Sequence, residues 1–299
     1  MNINRDVGIA ESSCEGRFIM EKPQVKYVQR FTIFPRFLHF LVIISFLTLA
    51  VTGMALKFAS ENWAEFIADF FGSFEILGAL HRLMAVVTFT YFALTFILMY
   101  QNWKKSGKSL LQFILDKDSM IPNLNDAKEL LQTFRWFFGL GPQPQYGRWT
   151  YWEKFDFMAV FWGVAVIGLT GLCLWFPETF TIFIPGYWIN IATIIHSDEA
   201  LLASGFIFTI HFFNTHLRPE KFPMDPVIFI GTMPLDELKH ERPREYAELV
   251  ESGKLDEIIV PPVPRWFFVT SHIFGFTALA IGLSLVISII YSMVFLYVK

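Results

Sequence analysis

Five stretches of this chain, near 35–57, 80–101, 155–176, 191–216 and 266–297, are each long and apolar enough to cross a bilayer. A helix rising 1.5 Å per residue needs about 20 such residues for a hydrocarbon core about 30 Å thick. Over the whole chain 54% of residues are hydrophobic and 35 are Phe. A soluble domain has nowhere to put so many, so lipid is the natural solvent. The fifth stretch is longer than one crossing needs, which predicts tilt or projection. The fourth is the least apolar, because Ser197, Asp198 and Glu199 stand near its start. The fold class expected is all-α and integral to the membrane: a four-helix transmembrane bundle plus a fifth transmembrane helix.

Charge sets the expected orientation. The tail up to Arg36 carries six Lys and Arg, the loop 102–154 eight and the loop 217–265 seven. The loop 57–79 has only Lys57, and the loop 177–190 has none. Basic residues favour the cytoplasmic side, so the N-terminus is expected inside and the C-terminus outside, as in a multi-pass membrane protein. The chain then divides into a cytoplasmic tail 1–34, a core 35–216, a cytoplasmic loop 217–265 and a C-terminal transmembrane helix 266–299. Residues 1–30 are polar, with no secretory signal pattern, so the first helix is expected to direct insertion. A net charge of −3 gives no reason to expect nucleic acid as a partner.

No internal repeat is expected. The outer segment 59–78 reads as a short amphipathic helix at the interface, anchored by Trp63. The inner loop 102–154 reads as solvated and partly irregular. The loop 217–265 reads as a solvated connector, with a surface helix starting near Pro243; a docking surface or a lid over the bundle is the other reading. Cys14 and Cys173 differ in side or depth, so no disulfide is expected. The chain has no Cys-x-x-Cys-His and too few thiolates for an iron–sulfur cluster, so a redox centre here must use other ligands.

The seven histidines supply them. Of these only His240 falls clearly in a soluble loop. An ionisable side chain inside a span is costly and usually has a partner and a role. A neutral imidazole can take an axial position on haem iron while the macrocycle fills apolar space. His39 lies in the inner part of helix one and His81 at the outer end of helix two. On helix four, His196 is near the outer end and His211 is 15 residues further in. In a regular α-helix that is about 22 Å deeper and within about 60° of the same face. His81 with His196 would hold an outer haem, and His39 with His211 an inner one. His216 lies about 200° from His196 on such a helix, which suits a headgroup, quinone or loop contact better than iron. For His272 a satisfied interface histidine is the plainer reading.

Arg36 shares a face with His39, and Arg82 adjoins His81; guanidinium groups suit haem propionates. Arg36 is read equally well as an ordinary positive-inside flank. Recurrent glycines, among them Gly53 and Gly171, either admit a haem or pack helices. The competing reading is a haem-free anchor or a transporter with buried histidines. Against a transport pathway, the spans are expected to lack buried Asp and Glu pairs and broken helices.

Arg36-Phe-Leu-His39, His81-Arg82 and the His196…His211 pair resemble the di-haem cytochrome b subunits of membrane-bound formate dehydrogenases, nickel–iron hydrogenases and thiosulfate reductases, which are related to bacterial cytochrome b561. The resemblance covers roughly residues 30–220. It implies two b haems with His39, His81, His196 and His211 as axial ligands, so that the bundle is haem-binding. It also implies a quinone site, for menaquinone or ubiquinone, beside the inner haem. Electrons would pass at the outer haem to or from an iron–sulfur or multihaem cytochrome c subunit. Asn214, His216 and Arg218 lie near the depth such a quinone site needs.

Overall fold

The computed structural model describes residues 25–295. Cys14, and with it the disulfide question, lies outside the described residues. Five helices are long and apolar enough to cross a membrane. They are α1 (Ile33–Lys57), α3 (Phe74–Ser106), α6 (Tyr151–Trp175), α8 (Tyr187–Phe206, extended to Leu217) and α12 (Arg265–Phe295). Short helices join them: α2 (Asn62–Phe71), α4 (Leu110–Ile114), α5 (Leu124–Phe137) and α7 (Pro177–Phe180). Between α8 and α12 come α9 (Val227–Ile230), α10 (Leu235–Glu241) and α11 (Pro243–Glu251). The side of the molecule holding 102–154 and 217–265 is called inner below.

Local chemistry explains where the helices differ from expectation. The segment 59–78 is two helices, not one. Gly72 ends α2 at φ 115°, a backbone conformation that costs glycine little. Ser73 then caps α3, accepting a hydrogen bond from the Ile76 amide at 3.2 Å. The second span therefore starts at Phe74. At the inner end Thr150 and Glu153 form a reciprocal capping box that starts α6.

The bundle is built as two pairs. α1 packs along α3, and α6 along α8, while contacts between the pairs are sparse. None of the most apolar stretch of α6 is buried by protein. The fifth span is held differently. Leu285 and Ile289 of α12 join Ala50, Met54, Phe208 and Phe212 in one apolar cluster.

Beyond Phe206, α8 is not an α-helix. Ile207–His211 and Phe213–Leu217 are π-helical. Hydrogen bonds that close on the fifth residue instead of the fourth turn the chain less per residue. The rotations expected of His211 and His216 from a regular helix therefore do not hold. His216 is buried within this segment.

The inner side carries a folded cap in place of the expected solvated connector. β1 (Tyr27–Gln29) is the central strand of a small sheet, antiparallel to β2 (Thr232–Pro234) and β3 (Ile259–Val260). The cap is pinned by ion pairs. Arg30 and Arg148 both meet Glu245, at 2.5 and 2.9 Å, and Arg242 meets Glu153 at 2.7 Å. Burial, and then the nearby charges of Arg148 and Arg242, lower the Arg30 pKa to about 10. Lys221 meets Asp225, Glu237 and Glu241 at 3.0, 2.5 and 2.9 Å. Burial opposes the Lys221 charge, but Asp225, Glu241 and Glu237 outweigh it and raise its pKa. α9 touches α1 and α12 over the inner end of the bundle. The surface helix expected near Pro243 is α11.

Candidate functional site

The outer histidines meet. His81 of α3 and His196 of α8 lie with ring centroids 6.2 Å apart and planes at 76°. Each ring is oriented by its neighbouring helix. The His196 Nδ1–H donates to the Ile167 carbonyl at 2.9 Å, with the Thr170 hydroxyl at 3.4 Å. His81 Nδ1 stands 2.9 Å from the Thr52 hydroxyl, which already donates its own proton to the Thr48 carbonyl at 2.7 Å. With that proton engaged, Thr52 is able to accept from a His81 protonated on Nδ1. Both rings are then left with an unprotonated Nε2, the form that ligates metal.

Two glycines make this approach possible. A Cβ added at Gly53 would stand 3.0 Å from His81 Cε1, and one at Gly171 would stand 3.0 Å from His196 Cε1. What these glycines admit is the imidazole. Each helix pair thus supplies one Thr, one Gly and one His. Contrary to the expectation of no internal repeat, the supplying segments match: Thr52-Gly-Met-Ala-Leu-Lys-Phe58 and Thr170-Gly-Leu-Cys-Leu-Trp-Phe176. Their common pattern, Thr-Gly-x-x-Leu-x-Phe, is the signal that could have revealed Thr52, Gly53, Thr170 and Gly171 from sequence.

The inner histidines do not meet in the same way. His211 Nδ1–H donates to the Asp156 carboxylate of α6 at 3.0 Å, leaving its Nε2 open. His39 lies edge-on to Phe229 of α9, with centroids 6.4 Å apart. No ring pairing joins His39 to His211 among the described residues. Asp156 was missed because it follows Glu153 and Lys154 and reads as one more interfacial charge. Asp156, Asp198 and Glu199 all lie within helices, and each has a partner. Asp198 is 3.1 Å from Lys57, and Glu199 accepts from the Trp162 indole at 2.6 Å.

The other candidates fall in three places. Arg82 is exposed beside His81 and forms no ion pair among the described residues. Arg36 is engaged by the cap: its Nε donates to the Phe229 carbonyl at 2.8 Å, and its guanidinium lies over the Phe267 ring. Near the inner end, His216 is packed against Phe212 and Phe276, and its Nδ1 has no hydrogen-bond partner. Asn214, two residues before it, is half-buried. Arg218 stacks its guanidinium on Trp152, 5.2 Å from the ring centre. His272 bonds its own helix through the Phe268 carbonyl, as an interface histidine would.

The outer donor set fits haem iron. Two imidazoles on opposite sides of one ion, at about 2 Å per metal–nitrogen bond, place their ring centres about 6 Å apart. The rings here stand 6.2 Å apart with both Nε2 atoms open. Among the described residues, no cluster of three or more His, Cys, Asp or Glu is placed to hold a metal ion. A family model described as prokaryotic cytochrome b561 matches residues 30–215, well over half of the chain. No curated protein matches the sequence.

Proposed function

This chain belongs to the prokaryotic cytochrome b561 family, membrane proteins of b-type haem electron transfer, and on that premise we propose that it carries electrons between a quinone pool and a redox partner through two b haems. Bound haem supplies a one-electron carrier whose potential depends on its ligands and burial. The observation that carries the reading is the outer histidine pair, with its matched threonines and glycines. His81 and His196 hold the outer haem, and Arg82 beside them meets a propionate. His39 and His211 hold the inner haem. Arg36 keeps its Nη groups for a propionate while its Nε anchors the cap.

The quinone, menaquinone or ubiquinone, sits at the inner end near Asn214, His216 and Arg218. Support comes from the buried, unpartnered Nδ1 of His216. A quinone carbonyl or hydroxyl satisfies such a group, which otherwise costs about 1–3 kcal/mol. The redox partner, an iron–sulfur or multihaem cytochrome c subunit, docks at the outer end, as in the di-haem subunits of formate dehydrogenase, hydrogenase and thiosulfate reductase complexes. The N-terminus then lies in the cytoplasm and the C-terminus outside.

An absorption spectrum of the purified chain, before and after a reduced quinone analogue, tests the reading. Sharp b-type bands that appear with the quinol are expected. Their absence even with dithionite would leave a haem-free anchor or transporter.

A further inference from the structure

α5 is an amphipathic helix mounted the wrong way round for water. Its inward face carries Asp126, Glu129 and Thr133. Lys154 meets Asp126 at 2.9 Å, Arg244 meets Glu129 at 3.2 Å, and Thr133 shares a hydrogen bond with Tyr146 at 2.9 Å. Both carboxylate residues are buried. On the opposite face Leu124 is 83% exposed, Leu131 64% and Phe134 55%, with Phe138 just beyond the helix at 69%. These four lie within about 80° of one another around the axis. A helix facing water buries its Leu and Phe and exposes its acids. α5 does the reverse, so the medium outside it must be apolar.

Depth identifies that medium. Lys154, which anchors α5, lies in the first turn of α6, and the uncharged apolar run of that span begins at Phe157, less than one turn further on. At the other end of the segment, α3 finishes with Trp103, Lys104 and Lys105, and Lys104 Nζ lies 4.6 Å from the Trp103 ring. Aromatic and basic residues together mark the headgroup level of a bilayer. The segment 107–150 therefore leaves and re-enters at the membrane surface. Its exposed apolar face continues that of the spans, where Phe155 is also exposed. Lys104 and Lys105 at the end of α3, with Lys128 and Arg135 on α5, add positive charge on this side, which complements anionic lipid.

We propose that α5 lies in the inner-side leaflet, with Leu124, Leu131, Phe134 and Phe138 among the acyl chains and the nearby Lys and Arg against anionic headgroups. Polar anchors hold the helix to the protein, and apolar side chains hold it to the lipid. This inference is independent of any haem.

The test uses the full chain with Cys14 and Cys173 replaced by Ser and single cysteines at Leu131 or Phe134, or at the exposed His240 of the cap. Each is spin-labelled in vesicles of phosphatidylcholine with phosphatidylglycerol. Labels at 131 and 134 should relax several-fold more with oxygen than with a water-soluble nickel chelate, and the label at 240 should do the opposite. Labels at 131 and 134 that respond to nickel as 240 does would show a hydrated helix and overturn the proposal. Immobile labels that respond to neither reagent would show a protein partner or a second copy there, and overturn it too. In vesicles of phosphatidylcholine alone the labels should sit shallower; unchanged depth would remove the role given to the basic residues.

Discussion

The outer and inner histidines are held by different chemistry. His81 and His196 set Nδ1 against a neutral hydroxyl and a neutral carbonyl, and the two rings lie edge to face 6.2 Å apart. His211 gives its Nδ1 proton to a carboxylate, and His39 packs under the cap. The outer site is therefore symmetric, built from one repeated segment on each helix pair. The inner site is not symmetric, and it is joined to elements outside the family match. A carboxylate partner makes an imidazole a stronger electron donor to its metal, so two haems with the same ligand type are expected to differ in potential.

The largest test of this contrast is deletion of ligands. His81→Ala and His196→Ala should each remove the same haem, halving the haem content in a pyridine haemochrome assay. Loss of different haems by the two variants would break the outer pair. At the inner end, His211→Ala should remove one haem, whereas His216→Ala should keep both and weaken only quinol oxidation. The opposite result would transfer the ligand role to His216 and the quinone site elsewhere.

A smaller effect is expected at the glycines. Gly171→Val places side-chain carbon where His196 now lies, so part of the outer haem should be lost while the inner haem is kept. Spectral titration of the two haems reads this directly. Equal loss of both would mean that the change acts on the bundle rather than on the site.

Asp156→Asn should leave both haems bound but make the inner one easier to reduce. A tenfold change in the reduction equilibrium is about 59 mV for one electron. A potentiometric titration should show one wave shifted upward and the other unmoved. Two unmoved waves would mean that the carboxylate does not act on a haem ligand.

The smallest expected effect on haem comes from the cap. Glu245→Ala leaves Arg30 and Arg148 without their shared carboxylate, and removing one partner of a buried pair costs about 3–5 kcal/mol. Proteolysis of the cap should speed up while the outer haem spectrum stays unchanged.

What could be read from the sequence follows the same division. Spans are legible because lipid demands an unbroken apolar run, and the depths of His81 and His196 follow from those runs. The cap was not legible, because β1 pairs residues 27–29 with residues 232–234 and nothing local announces a partner about two hundred positions away. The π-helical end of α8 gives no sequence signal of its own, so the rotation expected of His216 failed there. The loop 102–154 reads as solvated because its Lys and Asp residues do not announce which face of α5 each will occupy. The Thr-Gly repeat was present throughout, but its meaning depends on which histidine each copy meets.

The most direct measurement is the haem-to-protein ratio of the purified chain and of His81→Ala, by pyridine haemochrome with amino-acid analysis. Two b haems per wild-type chain and one in the variant are expected. A wild-type ratio of one, or a ratio unchanged by His81→Ala, would contradict a di-haem protein with its outer haem on His81 and His196.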